Sequence, residues 1–142
     1  MHYILDSAVF INASSFPFSS KNHYVMTSFC EAEVKELTAK MRLEAAFHEG
    51  RLSITDPCPA SIQVARALAK KHGDARLSDA DESVLALALE IADRKEKVCV
   101  CTDDYSLQNL LKWRKIPFQG ILQKGITKKK SFTKFPQTRQ KK

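Results

Sequence analysis

Short apolar runs alternate with longer helical periodicities along residues 3–122. Tyr3 to Leu5, with Val9 to Ile11, forms an apolar stretch interrupted by Asp6 and Ser7, which predicts a short buried strand ending at the acid. The serine-rich segment 12–22, with Pro17 in it, predicts a loop before a second strand at Tyr24 to Met26. Thr27 or Ser28 then caps a helix expected over Phe29 to His48, where Val34, Leu37, Met41 and Ala45 recur at three-to-four spacing and Gly50 follows the end. Leu52 to Ile54 predicts a further short strand, closed by Asp56, Pro57 and Pro59, and a basic helix is expected from about Ser61 to Lys71, stopped by Gly73.

The most buried element is expected next. Ser78 is a good N-cap, and Val84, Leu85, Ala86, Leu87, Ala88, Leu89, Ile91 and Ala92 are apolar nearly all round, as in a helix enclosed on every side. Val98 to Val100 has the β-branched character of a buried parallel strand, and Thr102-Asp103-Asp104 follows it directly. A helix over Tyr105 to Trp113 and a last strand near Pro117 to Leu122 complete the pattern, with no internal repeat. Strands alternating with helices predict an α/β fold: three α/β/α layers around a central, mainly parallel sheet. In such folds ligands bind beyond the carboxyl ends of the strands, where Asp6 and the Asp103-Asp104 pair are expected.

The chain's 142 residues suit one domain, and its formal charge of +7 is unevenly placed. Lys124, Lys128, Lys129, Lys130, Lys134, Arg139, Lys141 and Lys142 occur after position 123 with no acid among them, leaving 15 basic against 16 acidic residues in the rest. The division expected is a domain over 1–123 and a basic, flexible tail over 124–142. Such a tail either stays solvated or grips polyanions, where neutralised phosphates release counterions and Phe132 and Phe135 stack on bases. The amino terminus shows no basic leader or long apolar run, so a cytoplasmic protein without a membrane span is expected. Cys30, Cys58, Cys99 and Cys101 lack zinc-site spacing and read as reduced thiols, and the four histidines read as surface or loop residues.

Candidate chemistry resides in the acids. Asp6 breaks an apolar run, so it must be paired, protonated or bound to a cation. Glu33, Asp79 with Asp81, and Asp103 with Asp104 all fall beside apolar structure, Glu33 and Asp81 in the expected first turns of helices. Any one acid there is explained by the helix dipole. Gathered in one crevice, however, carboxylates repel until a hard divalent ion relieves them, and magnesium or manganese suits an all-oxygen site able to activate water. Glu31 and Glu36 read as solvated helix-face charges, Trp113 as a packing residue, and Tyr105 and Asn109 as neighbours of the acids able to touch substrate.

The segments Tyr-Ile-Leu-Asp6-Ser, Thr27-Ser-Phe-Cys-Glu-Ala-Glu33, Leu77-Ser-Asp-Ala-Asp81-Glu and Thr102-Asp-Asp104-Tyr-Ser-Leu-Gln-Asn109 together resemble a PIN domain over nearly all of positions 3–122. The resemblance implies Asp6, Glu33, Asp81 and Asp104 as catalytic acids, with Asp6, Asp81, Asp103 and Asp104 as candidate Mg²⁺ or Mn²⁺ ligands. It also implies that Ser7 and Thr102 orient them. Within the family the wording is most similar to the Nob-type endonucleases, which mature small-subunit ribosomal RNA. Those proteins carry a cysteine-rich zinc ribbon, whereas residues 124–142 hold no cysteine. The expected function is thus metal-dependent RNA hydrolysis, with pre-ribosomal RNA or the small ribosomal subunit as partner and Lys124, Lys128, Lys129, Lys130, Lys134 and Arg139 as RNA contacts. Alternatives are a VapC-like toxin ribonuclease with an antitoxin, a non-catalytic RNA-binding PIN protein, and a receiver-type signalling domain; the last is disfavoured because Asp6 stands alone after its strand. A homodimer is a further implication of the family, although no interface stripe stands out in the sequence.

Overall fold

The computed structural model describes residues 1–11, 16–72 and 77–121; the expected tail and its basic residues lie outside them. The elements in order are β1 (His2–Leu5), α1 (Ala8–Ile11), β2 (His23–Met26), α2 (Ser28–Glu33), α3 (Leu37–His48), β3 (Leu52–Ile54), α4 (Pro59–His72), α5 (Asp79–Asp93), β4 (Val98–Cys101), α6 (Tyr105–Trp113) and β5 (Phe118–Gln119). All five strands are parallel, in the order β3-β2-β1-β4-β5. The α/β class and the parallel sheet therefore agree with the pattern of the sequence.

This strand order fixes where a site can form. The chain moves outward from β1 through β2 to β3, then crosses to β4 and moves outward the other way. Right-handed crossovers put the helices of the two halves on opposite faces, and the sheet opens a crevice where the direction reverses, between β1 and β4. In the packing α1 lies on α3, while α2, α4, α6, β1 and β4 all contact α5. Helix α5 is capped by Ser78, whose side chain accepts from the Asp81 N–H, and nine of its residues are buried, including Val84, Leu85, Leu87 and Ile91. It is the enclosed helix the sequence predicted.

Strand β1 does end at the acid as expected, and Val9 to Ile11 beyond it form the short helix α1. Other local expectations are corrected. The single helix over 29–48 is two: α2 ends at Glu33, Val34 to Glu36 make the break, and Glu36 caps α3 by accepting from the Ala39 N–H at 2.9 Å. Glu36 is therefore a cap rather than a helix-face charge, and Glu33 closes a helix instead of opening one. The core face of α3 is also the other one. Ala39, Leu43 and Ala46 are buried, whereas Leu37 and Met41 are 71% and 62% exposed. Helix α4 starts at Pro59, whose fixed φ and missing N–H suit a first turn. Gly50, at φ +76°, ends α3 in the left-handed conformation that L side chains resist. Among the described residues no helix is long and apolar enough to cross a membrane.

Candidate active site

Asp6 leaves β1 at its carboxyl end and is only 8% exposed. Both of its oxygens are held. Oδ1 accepts from the Ser7 N–H at 2.7 Å and from the Ser7 hydroxyl at 3.3 Å, and Oδ2 accepts from the Thr102 hydroxyl at 2.9 Å. Thr102, wholly buried just after β4, also accepts from the Asp104 N–H at 3.0 Å, so one hydroxyl joins the acid after β1 to the turn after β4. Gln108 fixes that turn from α6 by donating to the Thr102 carbonyl at 2.7 Å.

Ser7 reaches in a second direction, to Glu33 Oε1 at 2.8 Å. The end of α2 is brought there by a buried chain of bonds: Thr27 caps α2 at the Cys30 N–H, its hydroxyl lies 2.7 Å from that of Ser83, and Ser83 donates to the Ala80 carbonyl on α5. This chain ties α2 to the first turn of α5, where Asp81 projects. Asp104 caps α6 by accepting from the Leu107 N–H at 2.8 Å. Asp103 turns elsewhere and accepts from the Ile121 N–H at 2.7 Å, beside β5.

The electrostatics show that these acids share a field. The Asp81 carboxyl is pushed up to about 7, first by burial and then by the charges of Asp104, Asp6 and Glu33, with Ser78 pulling the other way. Asp6 is also raised, by burial first and by Glu33 more weakly, against hydrogen bonds from Thr102 and Ser7 that favour its charged form. Burial lifts the neighbouring Cys30 thiol up to about 12, and Asp6 and Glu33 add to the shift, so this sulfur stays protonated and unreactive. Among the described residues no Lys, Arg or His forms an ion pair with Asp6, Glu33, Asp81 or Asp104.

Crowded, uncompensated carboxylates are a donor set for a hard cation. The side chains do not yet form a closed seat, since among the described residues no three His, Cys, Asp or Glu groups stand together closely enough to hold a metal. The sequence thus brought Asp6, Ser7, Glu33, Asp81, Thr102 and Asp104 to one crevice, while Asp103 faces β5. It missed Thr27, Ser83 and Gln108, whose bonds position the acids; a Thr cap and a Ser on an otherwise apolar helix were the only signals. Trp113, expected as a packing residue, is 59% exposed and meets the His72 ring at 4.3 Å.

With the fold and this constellation in place, the class is defined: the sequence pattern described as the PIN domain of ribonuclease matches residues 3–91, and the chain belongs to that family. Among its relatives, the endoribonuclease Nob1 of Methanothermobacter thermautotrophicus is 39% identical over 127 residues, covering 89% of this chain and 72% of that protein. The endoribonuclease Nob1 of Archaeoglobus fulgidus is 34% identical over 105 residues, and the match covers 71% of this chain but only 63% of that relative. The crystal structure of VapBC2 from Rickettsia felis, bound to a DNA fragment from its promoter, has the same fold: TM-score 0.58 at 15% identity, over 84% of this chain and 98% of that one.

Proposed function

We propose that the chain is a metal-dependent endoribonuclease whose acids Asp6, Glu33, Asp81 and Asp104 hold Mg²⁺ or Mn²⁺ and act on ribosomal RNA precursors or the small ribosomal subunit in the cytoplasm. The observation that carries this reading is the uncompensated acid crevice at the point where the sheet changes direction, with Asp81 pushed up to about 7 by burial and then by its acidic neighbours. The name endoribonuclease on relatives that match most of this chain supports the substrate class.

A bound divalent ion would supply charge for water activation and for the developing negative charge on phosphorus. The protein's own part is orientation. Ser7 and Thr102 hold the two oxygens of Asp6 in fixed directions, and the Ser7 hydroxyl sets Glu33 against the same centre. Asp104 is favoured over Asp103 because it adds to the field at Asp81, whereas Asp103 accepts from the Ile121 N–H. Hydrolysis adds the water oxygen to phosphorus in line with the departing 3′-oxygen, which takes a proton, leaving a 5′-phosphate and a 3′-hydroxyl. Lys124, Lys128, Lys129, Lys130, Lys134 and Arg139 would add sequence-independent affinity for the RNA backbone.

Incubation of a labelled RNA with the purified chain in manganese, magnesium or EDTA tests this. Cleavage in either metal and none in EDTA is expected, with 5′-phosphorylated products. RNA binding without cleavage in any metal would transfer the chain to the non-catalytic RNA-binding class.

A further inference from the structure

Helix α6 starts immediately after Asp104 and buries Leu107, Leu110 and Leu111. Its opposite face is unusual. Tyr105, Asn109 and Trp113 recur at four-residue spacing, which puts them along one side of a helix, and all three are exposed, Tyr105 by 76% and Trp113 by 59%. The two rings are separated by eight residues, or about 12 Å along the axis. Lys112 lies on the same side, and Arg114 and Lys115 follow the helix end. At the far end the Trp113 ring leans on His72, which brings in Lys70 and Lys71 from the last turn of α4. Among the described residues none of Lys70, Lys71, Lys112, Arg114 and Lys115 forms an ion pair.

We infer that this face of α6 is a platform for single-stranded RNA leading away from the acid crevice, with Tyr105 and Trp113 stacking on bases and the surrounding cations following the phosphates. Two exposed aromatic rings framed by cations are the combination that binds unpaired nucleic acid, because every base offers a face to stack and the backbone offers charge. Duplex RNA presents no free base faces, so the platform selects single strands. At the stacked rise of about 3.4 Å per nucleotide, the interval between the rings spans three or four nucleotides. Asn109, between them, presents an amide able to donate and accept at a base edge. This inference rests on the nuclease reading for its direction, since the platform begins one residue beyond Asp104.

Trp113 is the chain's only tryptophan, so its fluorescence reports on this face alone. Titration of the full chain with an eight-nucleotide uridine oligomer in EDTA, where the RNA stays whole, is expected to quench that emission saturably; a duplex RNA of equal length is expected not to. Tyr105→Ala should weaken oligomer binding roughly tenfold, the size of one lost stacking contact. In manganese the same variant should raise KM by a similar factor with kcat nearly unchanged, and its melting temperature should match wild type because Tyr105 is exposed. Lys112→Gln should weaken binding less and flatten its salt dependence. Metal-dependent cleavage by wild type with no quenching, and with unchanged KM in Tyr105→Ala and Trp113→Ala, would overturn the platform while leaving the nuclease intact. Quenching with no cleavage in any metal would uphold the platform and remove the nuclease reading.

Discussion

The carboxyl and amino ends of the sheet both gather polar side chains, yet they have settled their charge differently. Around the amino ends of β1, β2 and β3 lies a cavity of about 710 Å³ lined by His2, His23, Tyr24, Arg51, Ser53 and others. Its polar groups are answered locally: Arg51 pairs with Glu49 at 3.1 Å, the His2 ring nitrogen lies 3.1 Å from a Glu96 oxygen, and the His2 and His23 rings stack at 5.4 Å. At the carboxyl ends no such cavity is needed to find the chemistry. Burial, and after it the neighbouring carboxylates, raise the proton affinity of Asp6 and Asp81, and none of Asp6, Glu33, Asp81 and Asp104 has a cationic partner among the described residues. A large cavity with balanced charge offers shape; a crevice with unbalanced charge needs something to complete it. Unrelieved repulsion between acids is thus a better guide to this active site than volume.

The sharpest way to break the contrast is to neutralise single acids at the carboxyl end. Asp6→Asn and Asp104→Asn should each lower RNA cleavage on the order of a thousandfold, measured as initial rates in manganese. Next in size are the hydroxyls that aim the acids. Ser7→Ala and Thr102→Val should cost about ten- to a hundredfold in rate or metal affinity. Thr102→Val should also lower stability by about 1–3 kcal/mol in urea melts, because it leaves the Asp104 N–H and an Asp6 oxygen without their buried partner.

The contrast sharpens with pH. The Asp81 carboxyl is pushed from 3.8 up to about 7, so the folded, metal-free protein binds this proton more tightly than the unfolded chain does. The corresponding stability is present in full below pH 3.8 and is lost as pH rises through about 7. In EDTA, raising pH from 5 to 8 should therefore lower the melting temperature, and Asp81→Asn should reduce the loss. At pH 8 that substitution should stabilise the metal-free protein by about 1 kcal/mol, allowing for solvent screening at a partly exposed group, while cleavage falls. Adding Mg²⁺ should restore wild type and have little effect on the variant. The smallest changes belong to the amino end: Arg51→Ala and His23→Ala should leave cleavage within about twofold of wild type, as exposed residues outside the site.

How legible each region was follows from the same physics. Asp6 announced itself because an acid ending an apolar strand has few harmless explanations, and α5 because apolar residues on every side admit only an enclosed helix. Helix α3 misled because Leu37, Met41 and Ala45 keep helical spacing as well as Ala39, Leu43 and Ala46 do, and here the larger residues took the solvent side. The break at Val34 to Glu36 contains no Gly or Pro, and only the cap by Glu36 marks it. Glu33 consequently reached its place from the end of a helix rather than the start. Thr102 and Asp6 are 96 positions apart, and their bond depends on the parallel pairing of Leu5 with Cys101, which no local pattern encodes.

Paramagnetic broadening by substoichiometric Mn²⁺, followed in the amide spectrum of the RNA-free chain, tests the central claim directly, because it locates the cation without relying on activity. The expected result is selective loss of the Ser7, Glu33, Asp81 and Asp104 signals while those of His23, Arg51 and Ser53 persist, with the loss abolished in Asp6→Asn. Broadening centred on the amino-end cavity, or unchanged in Asp6→Asn, would contradict the account.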